Sequence, residues 1–123
     1  MMQEINYKDF EKLNLRVGTI KAVKQHEKLP DYILLIDLGQ AEQDMQIVAD
    51  LKDGYAMDEL IGKQVLFIEN MKPIVVGDIE SQGLLLIAHK DDKPVLISPE
   101  KETLPGVRVF GIRDSEYTHH LKE

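Results

Sequence analysis

The chain has 123 residues with 15 basic and 22 acidic side chains, a formal net charge of −7 at pH 7, and 43% hydrophobic residues. This is the composition of an ordinary soluble domain with one packed core, so residues 1–123 are expected to form a single domain. The lack of cysteine excludes a disulfide framework, a thiolate metal site and a cysteine nucleophile. No apolar run approaches the ~20 residues of a membrane span and the start has no secretory signal, so a cytoplasmic protein with no membrane contact is expected.

In chain order, Asn6 is placed to cap a short helix over Tyr7–Leu13, with Asp9 at the third position as a variant of the capping box. Leu15–Val23 reads as a long strand. Leu15 and Val17 share one parity and Ile20 and Ala22 the other, with Gly18 at the switch, as a bulge or sharp bend would give. His26–Asp31, with Pro30, is a turn; Tyr32–Leu38 and Met45–Ala49 are the second and third strands, separated by Gly39 and a polar link. Asp58-Glu59-Leu60 suits one helical turn stopping at Gly62, and Gln64–Glu69 is a fourth strand. Pro73–Val76, Gly83–Ala88, Val95–Ser98 and Val107–Ile112 complete the set. Many short strands around one short helix predict an all-β fold, a small closed or partly closed barrel.

Charge is unevenly spread. Residues 1–28 hold six basic side chains against four acids, whereas residues 29–51 hold five acids and no Lys or Arg. An acidic chain repels a polyanion at long range, so an RNA site would be a local patch, and the N-terminal segment is the best place for one. Catalytic chemistry is sparse. His26, His89, His119 and His120 lack ligand spacing, and the carboxylate pairs Asp58-Glu59 and Asp91-Asp92 fall in exposed turns. No phosphate-binding glycine loop or nucleophile elbow occurs. No catalytic residue, metal ligand or cofactor is expected; the residues suit a binding module.

Two stretches carry a family resemblance: Asp9-Phe10-Glu11-Lys12-Leu13-Asn14-Leu15-Arg16-Val17-Gly18-Thr19-Ile20, and Glu69-Asn70-Met71-Lys72-Pro73 followed by Glu80-Ser81-Gln82-Gly83-Leu84-Leu85-Leu86. Ile36-Asp37-Leu38-Gly39, Gln46-Ile47-Val48-Ala49 and Glu59-Leu60-Ile61-Gly62-Lys63 lie between them. In this order the blocks resemble the tRNA-binding domain family, which includes the C-terminal domain of methionyl-tRNA synthetase, stand-alone tRNA-binding proteins and CsaA-type chaperones. The resemblance implies an OB-fold, a five-stranded β-barrel with short flanking helices, here with a C-terminal β extension. It also implies that folded tRNA is gripped by shape and backbone contacts rather than by base sequence. Carried over by position, the implied RNA-contact residues are Arg16, Lys28, Asn70, Lys72, Ser81, Gln82, Gly83 and Leu84.

The chain departs from the family pattern where basic residues are usual: Ile74 and Val75 follow Lys72-Pro73, and Leu35 stands in the second strand. Leu84 replaces the usual methionine, the turn carrying Lys28 is one residue shorter, and Phe110–Glu123 runs past the family's usual end. Two functions are implied. One is a noncatalytic tRNA-binding module, as an accessory or detached subunit of an aminoacyl-tRNA synthetase such as methionyl-tRNA synthetase. The other is a CsaA-like chaperone holding extended clients on the same barrel face. A homodimer is implied for either. On this reading Ser81→Ala and Lys72→Ala weaken tRNA binding and leave the melting temperature nearly unchanged.

Overall fold

The computed structural model describes residues 2–112. Its elements are α1 (Tyr7–Glu11), β1 (Leu15–Gln25), β2 (Tyr32–Asp37), β3 (Met45–Ala49), α2 (Met57–Leu60), β4 (Gln64–Ile68), β5 (Ile74–Val76), β6 (Ile79–Ser81), β7 (Leu84–Leu85), β8 (Ile87–Lys90) and β9 (Lys93–Leu96). The expected capping box is present: the Asn6 side chain accepts the Asp9 N–H at 3.2 Å and the Asp9 carboxylate accepts the Asn6 N–H at 3.4 Å.

An antiparallel sheet ordered β3-β2-β1-β4-β7 curls into a nearly closed, OB-like barrel. β1 serves both halves, pairing with β4 through Leu15–Thr19 and with β2 through Thr19–Gln25. The buried parity switches at Gly18, as the sequence predicts, while the bulge itself falls at Lys21, between Ile20 and Ala22. A Cβ on Gly18 would overlap the Ile36 side chain and stand 3.0 Å from the Phe67 ring, so close approach across the core requires a glycine here.

Strict alternation buries Tyr32, Leu34 and Ile36 on one face of β2, and Leu38 continues the stripe. With Ile20, Ile47, Val65 and Phe67 they fill the barrel, and Leu51 and Leu60 join the same core. Each such side chain, fully buried, contributes about 1.5–3 kcal/mol. Polar tips at the core margin are paired: Tyr32 donates its hydroxyl to the Tyr55 carbonyl, and the Tyr55 hydroxyl accepts the Leu96 N–H.

Several elements in the second half of the chain differ from expectation. The strand expected over Val107–Ile112 reduces to one bridge, Arg16 to Arg108. It is flanked by bonds from Val17 N–H to the Val107 carbonyl (2.9 Å) and from Val109 N–H to the Leu15 carbonyl (2.8 Å). These bonds lie along the first half of β1, which β2 does not pair. Residues 113–123 of the expected extension, with His119 and His120, lie outside the described residues. Gly83–Ala88 is split at Leu86 into β7 and β8. β6 was not expected; it follows a tight turn with Gly77 and Asp78 both at positive φ (56° and 71°), the geometry of a two-residue hairpin. Asp91 and Asp92 make the same kind of turn between β8 and β9, with φ 53° and 63°. No helix among the described residues is long and apolar enough to cross a membrane.

Candidate nucleic-acid interface

The barrel is closed between β3 and the Ser81-Gln82 segment largely by side chains. The Gln82 N–H donates to the Gln46 carbonyl and the Gln82 Oε1 accepts the Gln46 N–H, both at 2.8 Å. The Ser81 hydroxyl oxygen accepts the Val48 N–H at 3.0 Å, and Ser81 is 4% exposed. Gln46 completes the seam by donating its amide to the Glu80 carbonyl at 2.7 Å. Gly83 lies where a Cβ would stand 2.9 Å from the Met45 sulfur and 3.1 Å from the Ile68 carbonyl. Three of the four residues in this segment therefore seal the barrel. Leu84 alone projects outward, 46% exposed.

Arg16 is similarly committed. Its Nε and Nη2 donate to the Gly106 carbonyl (2.9 and 2.7 Å), Nη1 to Glu42 (2.8 Å) and Glu69 (2.9 Å), and Nη2 to Glu42 (2.5 Å). A guanidinium has five N–H donors, so all are used. Hydrogen bonds to Glu42, the largest cause, and then to Glu69 push the Arg16 pKa up against the opposing effect of burial. The same bond holds the Glu42 carboxyl below its ordinary value. The network joins β1, the link between β2 and β3, the end of β4 and the C-terminal segment.

Asn70 turns back toward α1, its Oδ1 accepting the Asn14 N–H at 2.8 Å and its Nδ2 donating to the Lys12 carbonyl at 2.7 Å. Lys28 pairs with Asp78 in the β5–β6 turn. Beside that pair, buried His26 latches the two segments together. Its Nδ1 accepts the N–H groups of Lys28 and Leu29 (2.9 and 3.2 Å), and its Nε2 lies 2.9 Å from the Val76 carbonyl. Two donors at Nδ1 place the proton on Nε2, which donates to Val76.

Lys72 is exposed and makes no ion pair with a described residue. Its neighbours Met71 and Pro73 line a groove of about 470 Å³ with Gln82, Glu42, Asp44 and Glu69. A second groove, about 280 Å³, is lined by Ser81, Gly83, Leu84, Ile74, Ile87 and His89 among others. Asn70, Lys72 and Ser81 do not present one donor surface: the first, though exposed, bonds to the α1 end, the third is buried against β3, and Lys72 is exposed with no ion pair to a described residue. Gln82 and the Lys72 loop do share a groove. Ile74 and Val75 stand out from β5, 62% and 71% exposed.

Sequence reasoning missed Glu42, Gln46 and Asn14, because their partners lie 26 to 56 residues away along the chain. It also left His26 without a role. Among the described residues no group of His, Asp and Glu is arranged to hold a metal ion.

Comparison with known proteins places this arrangement. The family model described as "Putative tRNA binding domain" matches residues 15–108. The chain is 41% identical over 108 residues to methionine–tRNA ligase of Archaeoglobus fulgidus, a match covering 87% of this chain and 16% of that protein. It thus spans about a sixth of that curated relative. A solved MetRS-related protein from Pyrococcus horikoshii superposes with a TM-score of 0.79 at 32% identity, over 89% of this chain and 100% of the other. The CsaA chaperone protein of Picrophilus torridus does so with a TM-score of 0.80 at 31% identity, over 87% and 100%. The chain belongs to the tRNA-binding domain family.

Proposed function

We propose that this chain is a noncatalytic, cytoplasmic tRNA-binding module that reads folded tRNA by shape and backbone contacts, serving methionyl-tRNA synthetase as an accessory or detached subunit. The observation that carries this reading is the extent of the match: nearly all of this chain is 41% identical to a sixth of a methionine–tRNA ligase. A tethered binding domain raises the local concentration of tRNA at a synthetase and leaves its chemistry unchanged. On the barrel face, Lys72 and the Gln82 Nε2 amide, which bonds to no described residue, are the donors open to phosphate and ribose. Leu84 supplies an apolar contact beside them. Arg16, Ser81 and Gly83 shape that face from beneath, Asn70 ties its edge to the end of α1, and Lys28 sits with Asp78 at its margin. A symmetric homodimer is the expected assembly, to be read by sedimentation.

The test is a titration with mature tRNA and with unstructured RNA of equal length at 50 and 200 mM salt. The folded RNA should bind more tightly, with about a threefold loss of affinity across that range for each phosphate contact. Equal affinity for both RNAs would refute shape recognition. One observation favours a second reading: Ile74, Val75, Leu84 and Ile87 are all exposed, and three of them border the 280 Å³ groove. Such a patch suits protein contact, as in the CsaA chaperones this chain is similar to. Salt-insensitive binding of an unfolded protein, with none of tRNA, would establish that reading instead.

A further inference from the structure

The groove beside Lys72 and Gln82 holds three carboxylates with unequal ties. Glu69 is held from two sides, by Arg16 and by the Asn14 amide. Asp44 is paired with Lys21 at 2.9 Å. Glu42 bonds through its side chain to Arg16 alone among the described residues, and its side chain is 42% exposed against 12% for Arg16. The backbone of its segment is lightly tied, with the Glu42 N–H reaching the Gly39 carbonyl at a long 3.4 Å. Two carboxylates on one guanidinium leave a net negative charge at the very groove an RNA backbone would enter.

The Glu42 carboxylate takes one N–H from each terminal nitrogen of Arg16, at 2.8 and 2.5 Å. That two-point fork is also how a guanidinium holds a phosphate. We propose that the Arg16 fork is a phosphodiester-binding site which Glu42 occupies in the free protein, the 39–44 segment acting as a displaceable strap. The inference rests on the tRNA-binding reading for its biological ligand. An exchange of Glu42 for a phosphodiester conserves charge, one negative group for another, and conserves both hydrogen bonds. The Gly106 carbonyl and Glu69 keep the remaining three donors, so Arg16 stays in place. What tilts the exchange is the rest of the RNA backbone, which reaches Lys72 and the Gln82 amide along the same groove.

Glu42→Ala removes the internal competitor. Glu102→Ala, in the separate groove with Gly62 and Lys63, makes the same change in net charge away from Arg16. The expected result is tighter tRNA binding by Glu42→Ala, with one further phosphate contact in its salt dependence, an extra loss of about threefold between 50 and 200 mM. Glu102→Ala should match wild type. Equal behaviour of the two variants, or no gain from Glu42→Ala while wild type binds tRNA, would overturn the proposal and leave the tRNA reading intact. A second arm needs no RNA: inorganic pyrophosphate is titrated against the ¹⁵N side-chain signals of Arg16. Those signals should shift in Glu42→Ala at concentrations that leave wild type unmoved. That shift supports the site even if no tRNA binds, when only the functional reading would fall; signals unmoved in both proteins overturn it.

Discussion

Ser81→Ala tests whether Ser81 is an RNA contact or a residue that builds the proposed RNA-binding face. The Ser81 oxygen accepts the Val48 N–H at 3.0 Å and the residue is 4% exposed. Alanine places a methyl there and leaves a β3 donor unpaired, at the seam where side chains replace strand pairing. An unsatisfied buried donor costs about 1–3 kcal/mol. The adjacent 280 Å³ groove lets water approach Val48, which puts the cost in the lower half of that range. For a chain of this size that corresponds to a fall in melting temperature of roughly 3–8 °C. Thermal unfolding by circular dichroism measures it, and amide hydrogen exchange at Val48 locates it. Lys72→Ala, with no ion pair to a described residue, should leave the melting temperature unchanged. The two substitutions, expected from sequence to behave alike, are thus separated by the structure. A Ser81→Ala protein that melts with wild type and protects the Val48 amide equally would refute the seam.

Gly18→Ala should destabilise by about 3 kcal/mol, the upper end for overpacking, because its methyl meets the buried Ile36 and Phe67 side chains; the urea midpoint should fall at constant m-value. His26 should be the Nε2–H tautomer at neutral pH by ¹⁵N NMR, and His26→Ala should cost about 2–4 kcal/mol by stranding the Lys28 and Leu29 N–H groups and opening a cavity. An Nδ1–H signal would contradict the latch. Glu42 should titrate below an ordinary glutamate, because Arg16 hydrogen-bonds its ionised form. A depressed folded pKa stabilises fully above the unfolded value and is lost as pH falls through the folded one. The strap should therefore release only below the usual carboxylate range, and Glu42→Gln should flatten that acid limb in a pH series of unfolding curves.

The barrel was legible where the physics is local. Alternation in Tyr32–Leu38 buried alternate side chains because a strand's faces are set by its pleat, and the parity change marked Gly18 because only a bend can switch a buried face. The Gly77-Asp78 signal for a hairpin was also present, between Val76 and Ile79, but three-residue strands give too short an alternation to stand out. Strand Val107–Ile112 failed for a different reason. Its apolar residues are real, but only the first half of β1 has a free edge to pair, so one bridge forms and the chain moves on. The family resemblance named the Ser81-Gln82 segment and Asn70 as RNA contacts without showing which way their side chains turn. That depends on Gln46, Val48 and Asn14, brought alongside only when the barrel closes.

Barrel closure also determines how loss of binding should be interpreted in this family. Arg16, Asn70, Ser81 and the Gln82 side chain, through its Oε1, each hold two parts of the fold together, so a substitution at any of them should weaken the proposed RNA binding by deforming the face, whether or not RNA touches the residue. Salt separates the two cases. A cation that meets phosphate contributes nearly one unit to the slope of log affinity against log salt, and its removal flattens the line. A deformed or partly unfolded face lowers affinity at every salt concentration and leaves the slope as it was. Lys72→Ala should flatten the line and Ser81→Ala should displace it. Glu42→Ala should steepen it, because an arginine now held by an internal carboxylate becomes free to meet phosphate.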